Sequence, residues 1–141
     1  MYMKELHVNS NVENIPTVKN FVCSELERLG CSERLVMQMK MAVDELFANI
    51  SFYAYDSEPG PVTVRFDFEE ESSSAILTFI DEGKPYNPLE AEEPDVALEG
   101  ELRPIGGLGI FLVRNLMDDM LYEYKDKRNI LTLIKHTHIT S

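Results

Sequence analysis

The chain has 141 residues, of which 44% are hydrophobic and 27% are charged, and this balance is typical of one soluble globular domain spanning residues 1–141. Its 25 acidic and 13 basic side chains give a formal net charge of −12 at pH 7, which disfavours binding to nucleic acid or to an anionic membrane, because both require a basic surface. Two cysteines are too few to cross-link a secreted fold. Since the N-terminus also lacks the hydrophobic stretch of a signal peptide, we expect a cytoplasmic protein.

The first half of the chain is predicted to hold one strand and two helices. Residues 2–8 alternate loosely between polar and apolar side chains, which favours a strand. Apolar residues then recur at helical spacing up to Leu29, and Gly30 is suited to end that helix because glycine readily adopts the backbone conformation of a C-terminal cap. Ser32 is predicted to cap a second helix that continues to about Tyr53.

The second half is predicted to contain four strands and one helix. The strands are expected at 62–68, 75–81, 120–124 and 129–136, and the helix at 106–117. Residues 82–105 contain four prolines and show no clear periodicity, and such a long irregular segment in a compact domain is usually functional or mobile. The order of elements predicts an α+β fold, a two-layer α/β sandwich in which helices cover one face of a mixed, mostly antiparallel sheet.

The first candidate site is the pair Glu45 and Asn49 on the second predicted helix. Residues four apart share a helix face, and this face lies beside the apolar seam of the helix. A carboxylate placed there can accept a proton from a hydroxyl or a water molecule, and an amide oxygen can ligate Mg²⁺. A solvated polar pair is the alternative interpretation. The adjacent Asp44 lies on a different side of the helix and is expected at the surface.

The second candidate site is the sequence Asp81-Glu82-Gly83-Lys84-Pro85, in which an acid ends an apolar strand and a glycine turn follows. A carboxylate at a strand end can accept a hydrogen bond from an exocyclic amine such as that of adenine. Gly83 would allow the backbone to approach a flat ring closely. Aspartate and glycine are also common turn residues, so an ordinary turn is the alternative.

The third candidate site is the sequence Gly106-Gly107-Leu108-Gly109, which precedes a predicted helix. The N–H groups of such a loop can converge on phosphate oxygens, and the positive end of the helix dipole favours an anion. This arrangement would let an acidic protein bind phosphate without a basic surface. The spacing matches neither a Walker loop nor a dinucleotide-binding fingerprint, and a flexible turn is the alternative.

Two further residues are weaker candidates. Arg103 precedes the glycines and could reach a terminal phosphate, or it could be a solvated charge. Thr132 lies between Leu131 and Leu133, so it faces the opposite side of its strand. It could join a hydrogen bond at an adenine site, or it could be an ordinary strand threonine.

The three candidate sites occur in an order that resembles a known family. The motifs E-x-x-x-N at 45–49, D-x-G-x-P at 81–85 and G-G-x-G at 106–109 look like the N, G1 and G2 boxes of the Bergerat-fold ATPases. The longer stretches 42–55 and 106–124 are similar to the small stand-alone branch of that superfamily, the bacterial anti-sigma factor serine/threonine kinases. The resemblance covers nearly the whole chain, roughly from residue 3 to residue 136.

The resemblance implies ATP and Mg²⁺ as cofactors and gives each motif a role. Glu45 would be the general base that acts on a protein hydroxyl, and Asn49 would be a Mg²⁺ ligand. Asp81 would bind the adenine amine, with Gly83 beneath the ring. Asn129 and Leu131 also fit the family pattern, and Thr132 is included among the nucleotide-binding candidates because of its possible hydrogen bond at the adenine site.

The resemblance also implies how the triphosphate is enclosed. The loop formed by Gly106, Gly107, Leu108 and Gly109 would surround the phosphates. Residues 88–105 would form an ATP lid, with Arg103 as the candidate arginine near the γ-phosphate.

The implied function is that of an ATP-binding regulatory kinase that phosphorylates serine or threonine on a STAS-domain antagonist, with a sigma factor as a further candidate partner and a homodimer as the implied assembly. Two departures from the family pattern keep a second hypothesis open. Many relatives have histidine where this chain has Tyr53, and the segment between Pro88 and Gly106 is unusually acidic. The second hypothesis is a non-catalytic, ATP-dependent switch that acts on a protein partner, and the third is an interaction domain that binds no nucleotide.

Overall fold

Five strands form one sheet in the computed structural model, which describes residues 2–90 and 107–137. The strands, numbered along the chain, are β1 (Tyr2–Asn9), β2 (Pro61–Glu69), β3 (Ser74–Asp81), β4 (Asp119–Lys125) and β5 (Arg128–His136). They lie in the order β1-β2-β3-β5-β4, and each neighbouring pair is antiparallel. Because β5 lies between β3 and β4, the last residue of β3, Asp81, is directly opposite Asn129 near the start of β5.

Three helices pack on one face of this sheet. They are α1 (Ile15–Arg28), α2 (Glu33–Tyr53) and α3 (Gly107–Leu116), with short 3-10 turns at Val12–Asn14 and Pro88–Glu90. Gly30 follows α1 with a φ of +80°, a conformation that favours glycine. Ser32 caps α2, since its side chain accepts a hydrogen bond from the N–H of Leu35 at 3.2 Å.

The core fills the space between the helices and the inner sheet face. Alternate residues of the strands point toward the helices, so that Val64, Phe66, Leu77 and Leu133 are completely buried. Their partners on the helices include Val22, Leu26, Met39, Val43, Phe47, Ile110 and Val113. Each fully buried side chain of this size contributes roughly 1.5–3 kcal/mol to the free energy of unfolding. This layer therefore fixes where α2 and α3 stand relative to the ends of β3 and β5.

The observed architecture confirms the predicted α+β fold. Each strand begins and ends within one residue of its predicted position, and α2 ends at Tyr53 as expected. The sheet is antiparallel at every pairing of the described strands, so the parallel pairing that a mixed sheet would contain is not found among them. Asp44 is exposed as predicted, and its carboxylate forms an ion pair with Lys19 at 3.1 Å. Within residues 2–90 and 107–137, no helix is both long enough and apolar enough to cross a membrane.

Candidate functional site

A cleft of about 460 Å³ opens between the C-terminal half of α2 and the end of the sheet where β3 and β5 meet. Apolar walls are supplied by Ile50 of α2, Phe79 of β3 and Leu131 of β5. Two polar side chains from different motifs, Asn49 and Asp81, line the same space. The cleft therefore combines flat apolar surfaces with a small number of hydrogen-bonding groups.

Asp81 is the buried carboxylate of the cleft, with a relative exposure of 6%. Its Oδ1 accepts hydrogen bonds from the N–H of Gly83 and from Nδ2 of Asn129, both at 2.9 Å. Its Oδ2 has no hydrogen bond to the residues described, and it is not among the fully buried unpaired atoms. Burial raises the pKa of Asp81, and the two hydrogen bonds oppose part of that increase. Asp81 can thus accept one further hydrogen bond from a group in the cleft.

Asn49 and Glu45 lie one turn apart on α2, and both are half-buried. The amide of Asn49 lines the cleft, and within the described ranges it forms no hydrogen bond. Glu45 is not part of the cleft wall, but it lies next to it toward α3. Burial raises the pKa of the Glu45 carboxyl, so it holds a proton more readily than an exposed glutamate does. An oxygen ligand and a proton acceptor therefore occupy successive turns of one rigid helix.

The Glu45 side chain meets the glycine-rich start of α3. A Cβ atom built on Gly109 would lie 1.9 Å from Cδ of Glu45 and 2.2 Å from each carboxylate oxygen. Only a residue without a side chain allows this contact. The contact brings the first and third sequence motifs together, although Glu45 and Gly109 are 64 positions apart in the chain.

Gly83 has a structural role that the sequence did not reveal. A Cβ atom at this position would lie 2.3 Å from the carbonyl oxygen of Ala54, which is the C-cap residue of α2. The next residue, Lys84, donates its N–H to the same carbonyl at 3.0 Å. Gly83 therefore lets the turn after β3 pack directly on the end of α2, and this packing holds Asp81 and Asn49 on two sides of one cleft.

The structure gives the positions of some predicted site residues and does not test their roles. Gly107 and Leu108 are the first two residues of α3. Arg103, Gly106 and residues 91–105 of the predicted lid lie outside the described residues. The described beginning of that segment forms the 3-10 turn Pro88–Glu90, and its Pro88 is buried against the cleft.

Thr132 does not line the cleft, and its role at the nucleotide site stays a prediction. It pairs with Thr78 of β3 and Leu121 of β4, and it faces away from the helices because strand residues alternate between faces. Asn129 is on the cleft side, and sequence analysis assigned it no role. The alternation that placed Thr132 opposite Leu131 and Leu133 could have found it, since Asn129 is two residues before Leu131.

The donor set fits a purine nucleotide with a divalent cation. A carboxylate oxygen that lacks a partner suits an amine on a flat ring, and the apolar walls suit the ring itself. The Asn49 amide oxygen is a hard ligand of the kind that Mg²⁺ prefers. In the part of the chain described, no three His, Cys, Asp or Glu side chains cluster to hold a metal. A cation here would share Asn49 with ligands from the nucleotide.

The comparison with curated proteins gives relatives that are named as protein kinases. The chain is 30% identical over 107 residues to the serine/threonine-protein kinase BtrW of Bordetella bronchiseptica, an alignment that covers 75% of this chain and 74% of that protein. It is 23% identical over 129 residues to the serine-protein kinase RsbW of Bacillus cereus, covering 90% of this chain and 81% of the relative. The predicted resemblance to this branch of kinases is confirmed.

Solved structures show the same fold at low sequence identity. The RsbU and RsbW domains of Rv1364c from Mycobacterium tuberculosis match with a TM-score of 0.66 and 14% identity, covering 94% of this chain and 32% of that longer one. A histidine kinase domain from Erythrobacter litoralis EL346 matches with a TM-score of 0.52 and 18% identity, covering 73% of this chain and 45% of that chain. The sequence model described as "Histidine kinase-like ATPase domain" matches residues 8–135. Because that match spans most of the chain, the protein belongs to the histidine kinase-like ATPase domain family.

Proposed function

We propose that this chain is an ATP-dependent protein serine/threonine kinase of the anti-sigma factor type, which phosphorylates a hydroxyl of a STAS-domain antagonist. One observation carries the proposal. Asn49 and Asp81, from two separate motifs, line one cleft, and Glu45 stands one turn from Asn49 in contact with Gly109 of the third motif. The curated relatives named as serine or serine/threonine kinases support the same conclusion.

The cleft residues would bind and orient the nucleotide. Asp81 would accept the adenine amine at Oδ2, because its Oδ1 already accepts two hydrogen bonds. Asn49 would ligate Mg²⁺ through its amide oxygen. The backbone of Gly107 and Gly109 at the start of α3 would donate N–H groups to phosphate oxygens, with help from the helix dipole. These contacts need no basic surface, which is consistent with the net charge of −12.

Glu45 would act as the general base. Bound Mg-ATP supplies the phosphoryl group and a cation that offsets the phosphate charge, so the protein mainly has to position the reactants and accept a proton. Glu45 would take the proton of the serine or threonine hydroxyl as that oxygen bonds to the γ-phosphorus, while the bond from this phosphorus to the β,γ-bridging oxygen breaks and ADP leaves. Its partly buried position raises its pKa, and a carboxylate of higher basicity is a better proton acceptor near neutral pH.

The finer parts of the proposal concern partners. A STAS-domain antagonist would be the phosphate acceptor, and a sigma factor would be a second partner that the kinase sequesters. The protein would act in the cytoplasm as a homodimer. These partners are what the resemblance to the anti-sigma factor kinases implies, and the relatives named as protein kinases support that resemblance. Each partner can be tested by co-purification with and without Mg-ADP.

The central experiment measures phosphate transfer. The purified protein, γ-labelled Mg-ATP and a STAS-domain protein from the same genome are mixed, and label is expected on a serine or threonine of the STAS protein. Glu45→Gln should abolish transfer and leave Mg-ADP binding intact. Asp44→Asn is the matched control, because Asp44 is the adjacent exposed acid, and it should transfer label like the wild type. Transfer undiminished by Glu45→Gln would exclude Glu45 as the base.

The same experiment separates the competing hypotheses. A non-catalytic switch would show a partner affinity that depends on Mg-ADP, with no label transferred over hours. Nucleotide binding itself is checked by thermal unfolding, since a ligand at about 100 times its Kd adds roughly 2.7 kcal/mol of stability. A protein whose unfolding temperature does not respond to Mg-ADP would be an interaction domain without nucleotide.

A further inference from the structure

The Asn129 side chain forms hydrogen bonds with several segments around the cleft. It is 6% exposed, and its Nδ2 donates to Oδ1 of Asp81 and to the carbonyl oxygen of Lys84, each at 2.9 Å. Its Oδ1 accepts from the N–H of Tyr86 at 3.1 Å and from the hydroxyl of Tyr122. One amide thus joins β3, β4, β5 and the turn that follows β3.

These partners fix the orientation of the Asn129 amide. If the amide were turned by 180°, its NH₂ group would face the N–H of Tyr86, and its oxygen would face the carbonyl of Lys84 and the carboxylate of Asp81. Each of those contacts would be between two donors or two acceptors, which is costly for buried groups. Asn129 therefore always presents a donor to Asp81.

We propose that Asn129 is a positioning residue that makes Asp81 select purines carrying a 6-amino group. The inference rests on the proposed function, in which the cleft binds a nucleotide. A carboxyl group can turn about its terminal torsion, but Asn129 and the Gly83 N–H both hold Oδ1. Oδ2 is the oxygen left for the cleft, and it presents an acceptor. A 6-amino purine donates to that acceptor, whereas a 6-oxo purine places its own acceptor against it.

The experiment compares two diphosphates that differ at the 6-position. Calorimetry gives the Kd of ADP and of inosine diphosphate for the wild type, and we expect ADP to bind at least about tenfold more tightly, as for a hydrogen bond to a charged group. In Asn129→Ala, the Asp81 carboxylate loses the hydrogen bond from Nδ2 of Asn129. The ratio of the two Kd values should then fall to about threefold or less, mostly through weaker ADP binding.

A second variant separates positioning from packing. Asn129→Leu keeps the branched shape of the side chain, but it removes the NH₂ donor to Asp81. A role in packing alone would be largely retained by this apolar residue, whereas the positioning role predicts a low ratio again. Ile130→Val is the control, since Ile130 follows Asn129 on the same strand and faces the opposite side of the sheet. Thermal unfolding confirms that each variant is folded at the assay temperature.

The outcomes distinguish this inference from the proposed function. A wild type that binds neither diphosphate would contradict the proposed function itself. A wild type that binds both equally, or a folded Asn129 variant that keeps the wild-type ratio within about twofold, would overturn the inference and leave nucleotide binding standing. Loss of selectivity in both Asn129 variants, with Ile130→Val unchanged, is the result that we expect.

Discussion

The carboxylate of Glu45 rests directly on the Cα of Gly109, with no space for a side chain between them. The proposed base is therefore held by the same glycine-rich segment that is proposed to bind phosphate. A change in the position of α3 would be transmitted to Glu45 through this contact. The relationship makes Gly109 a site where the geometry of the base can be tested separately from its chemistry.

The first prediction is that Gly109→Ala slows phosphate transfer strongly and changes the free energy of unfolding little. The new methyl group must displace the Glu45 carboxylate, but that group is the end of a flexible side chain and can move. Alanine also favours a helix over glycine by about 1 kcal/mol, so the free energy of unfolding should change by no more than about 1 kcal/mol. Transfer should fall at least about tenfold. The measurements are chemical denaturation and single-turnover transfer.

The control for Gly109→Ala is Gly30→Ala. Gly30 has a φ of +80° and open space around its Cα, so alanine would strain the backbone by roughly 1 kcal/mol without touching the cleft. We expect this variant to be less stable and to transfer phosphate at the wild-type rate. Wild-type transfer by Gly109→Ala would show instead that Glu45 does not need its present position.

The second prediction is the pH dependence of phosphate transfer. A general base works only when it is deprotonated, so the rate should rise with pH and level off above the pKa of Glu45. Burial raises that pKa, and the rise should therefore be centred above the value of about 4.3 for an exposed glutamate. The measurement is single-turnover transfer at saturating ATP across pH 4 to 8. A midpoint at or below the value of about 4.3 for an exposed glutamate would contradict an elevated pKa.

The fold could be predicted because its signals are local. The helical spacing before Leu29, the cap at Ser32, the alternation along β2 and the apolar run of β3 each depend on neighbours in the sequence, and the structure confirms them. The strand order could not be obtained in this way, because pairing between β3 and β5 joins residues that are 48 to 62 positions apart. Local patterns define elements, whereas their register depends on how the whole core packs.

The candidate site also combines residues that local motifs predict with residues whose roles depend on distant contacts. Asn49 and Asp81 could be proposed from motif chemistry, and the structure places both in one cleft. Asn129 was given no role, because the function of an asparagine near the start of a strand is not apparent until Asp81 is known to be opposite it. Gly83 was predicted to make room for a ligand ring, and its contact with Ala54, which a Cβ atom would prevent, was not foreseen. Contacts between distant segments decided both cases.

The third prediction concerns Asp81→Asn and its base preference. The donors from Gly83 and Asn129 require an acceptor at Oδ1, so the amide of the variant would place its oxygen there and its NH₂ group toward the cleft. That group donates where the carboxylate accepted. We expect the preference for ADP over inosine diphosphate to be reversed, with ADP binding weakened at least about tenfold. Calorimetry with both ligands is the measurement, and an unchanged preference would exclude Asp81 from base recognition.

The same variant tests a linkage between pH and stability. Burial raises the pKa of Asp81 in the folded state, so the folded protein binds this proton more tightly than the unfolded chain does. The contribution of Asp81 to stability is therefore greatest below its unfolded pKa, and it declines as the pH rises toward the raised folded pKa. The nearby Tyr55 and Tyr122 also have pKa values raised by burial and stay neutral in that range. Denaturation curves at several pH values should show a smaller decline in Asp81→Asn than in the wild type.

The fourth prediction is that Gly83→Ala lowers the stability of the protein and abolishes ADP binding in the cleft. The added Cβ would lie 2.3 Å from the carbonyl oxygen of Ala54 and 2.6 Å from its Cβ. Because the nearer atom belongs to the backbone and accepts the N–H of Lys84, the turn must move away from α2. We expect a loss of roughly 1–3 kcal/mol in the free energy of unfolding, together with loss of ADP binding. Adding Ala54→Gly should not restore either property, since it removes the methyl group and leaves the carbonyl. Recovery in that double variant would show that the side chain of Ala54, and not its backbone, requires glycine at position 83.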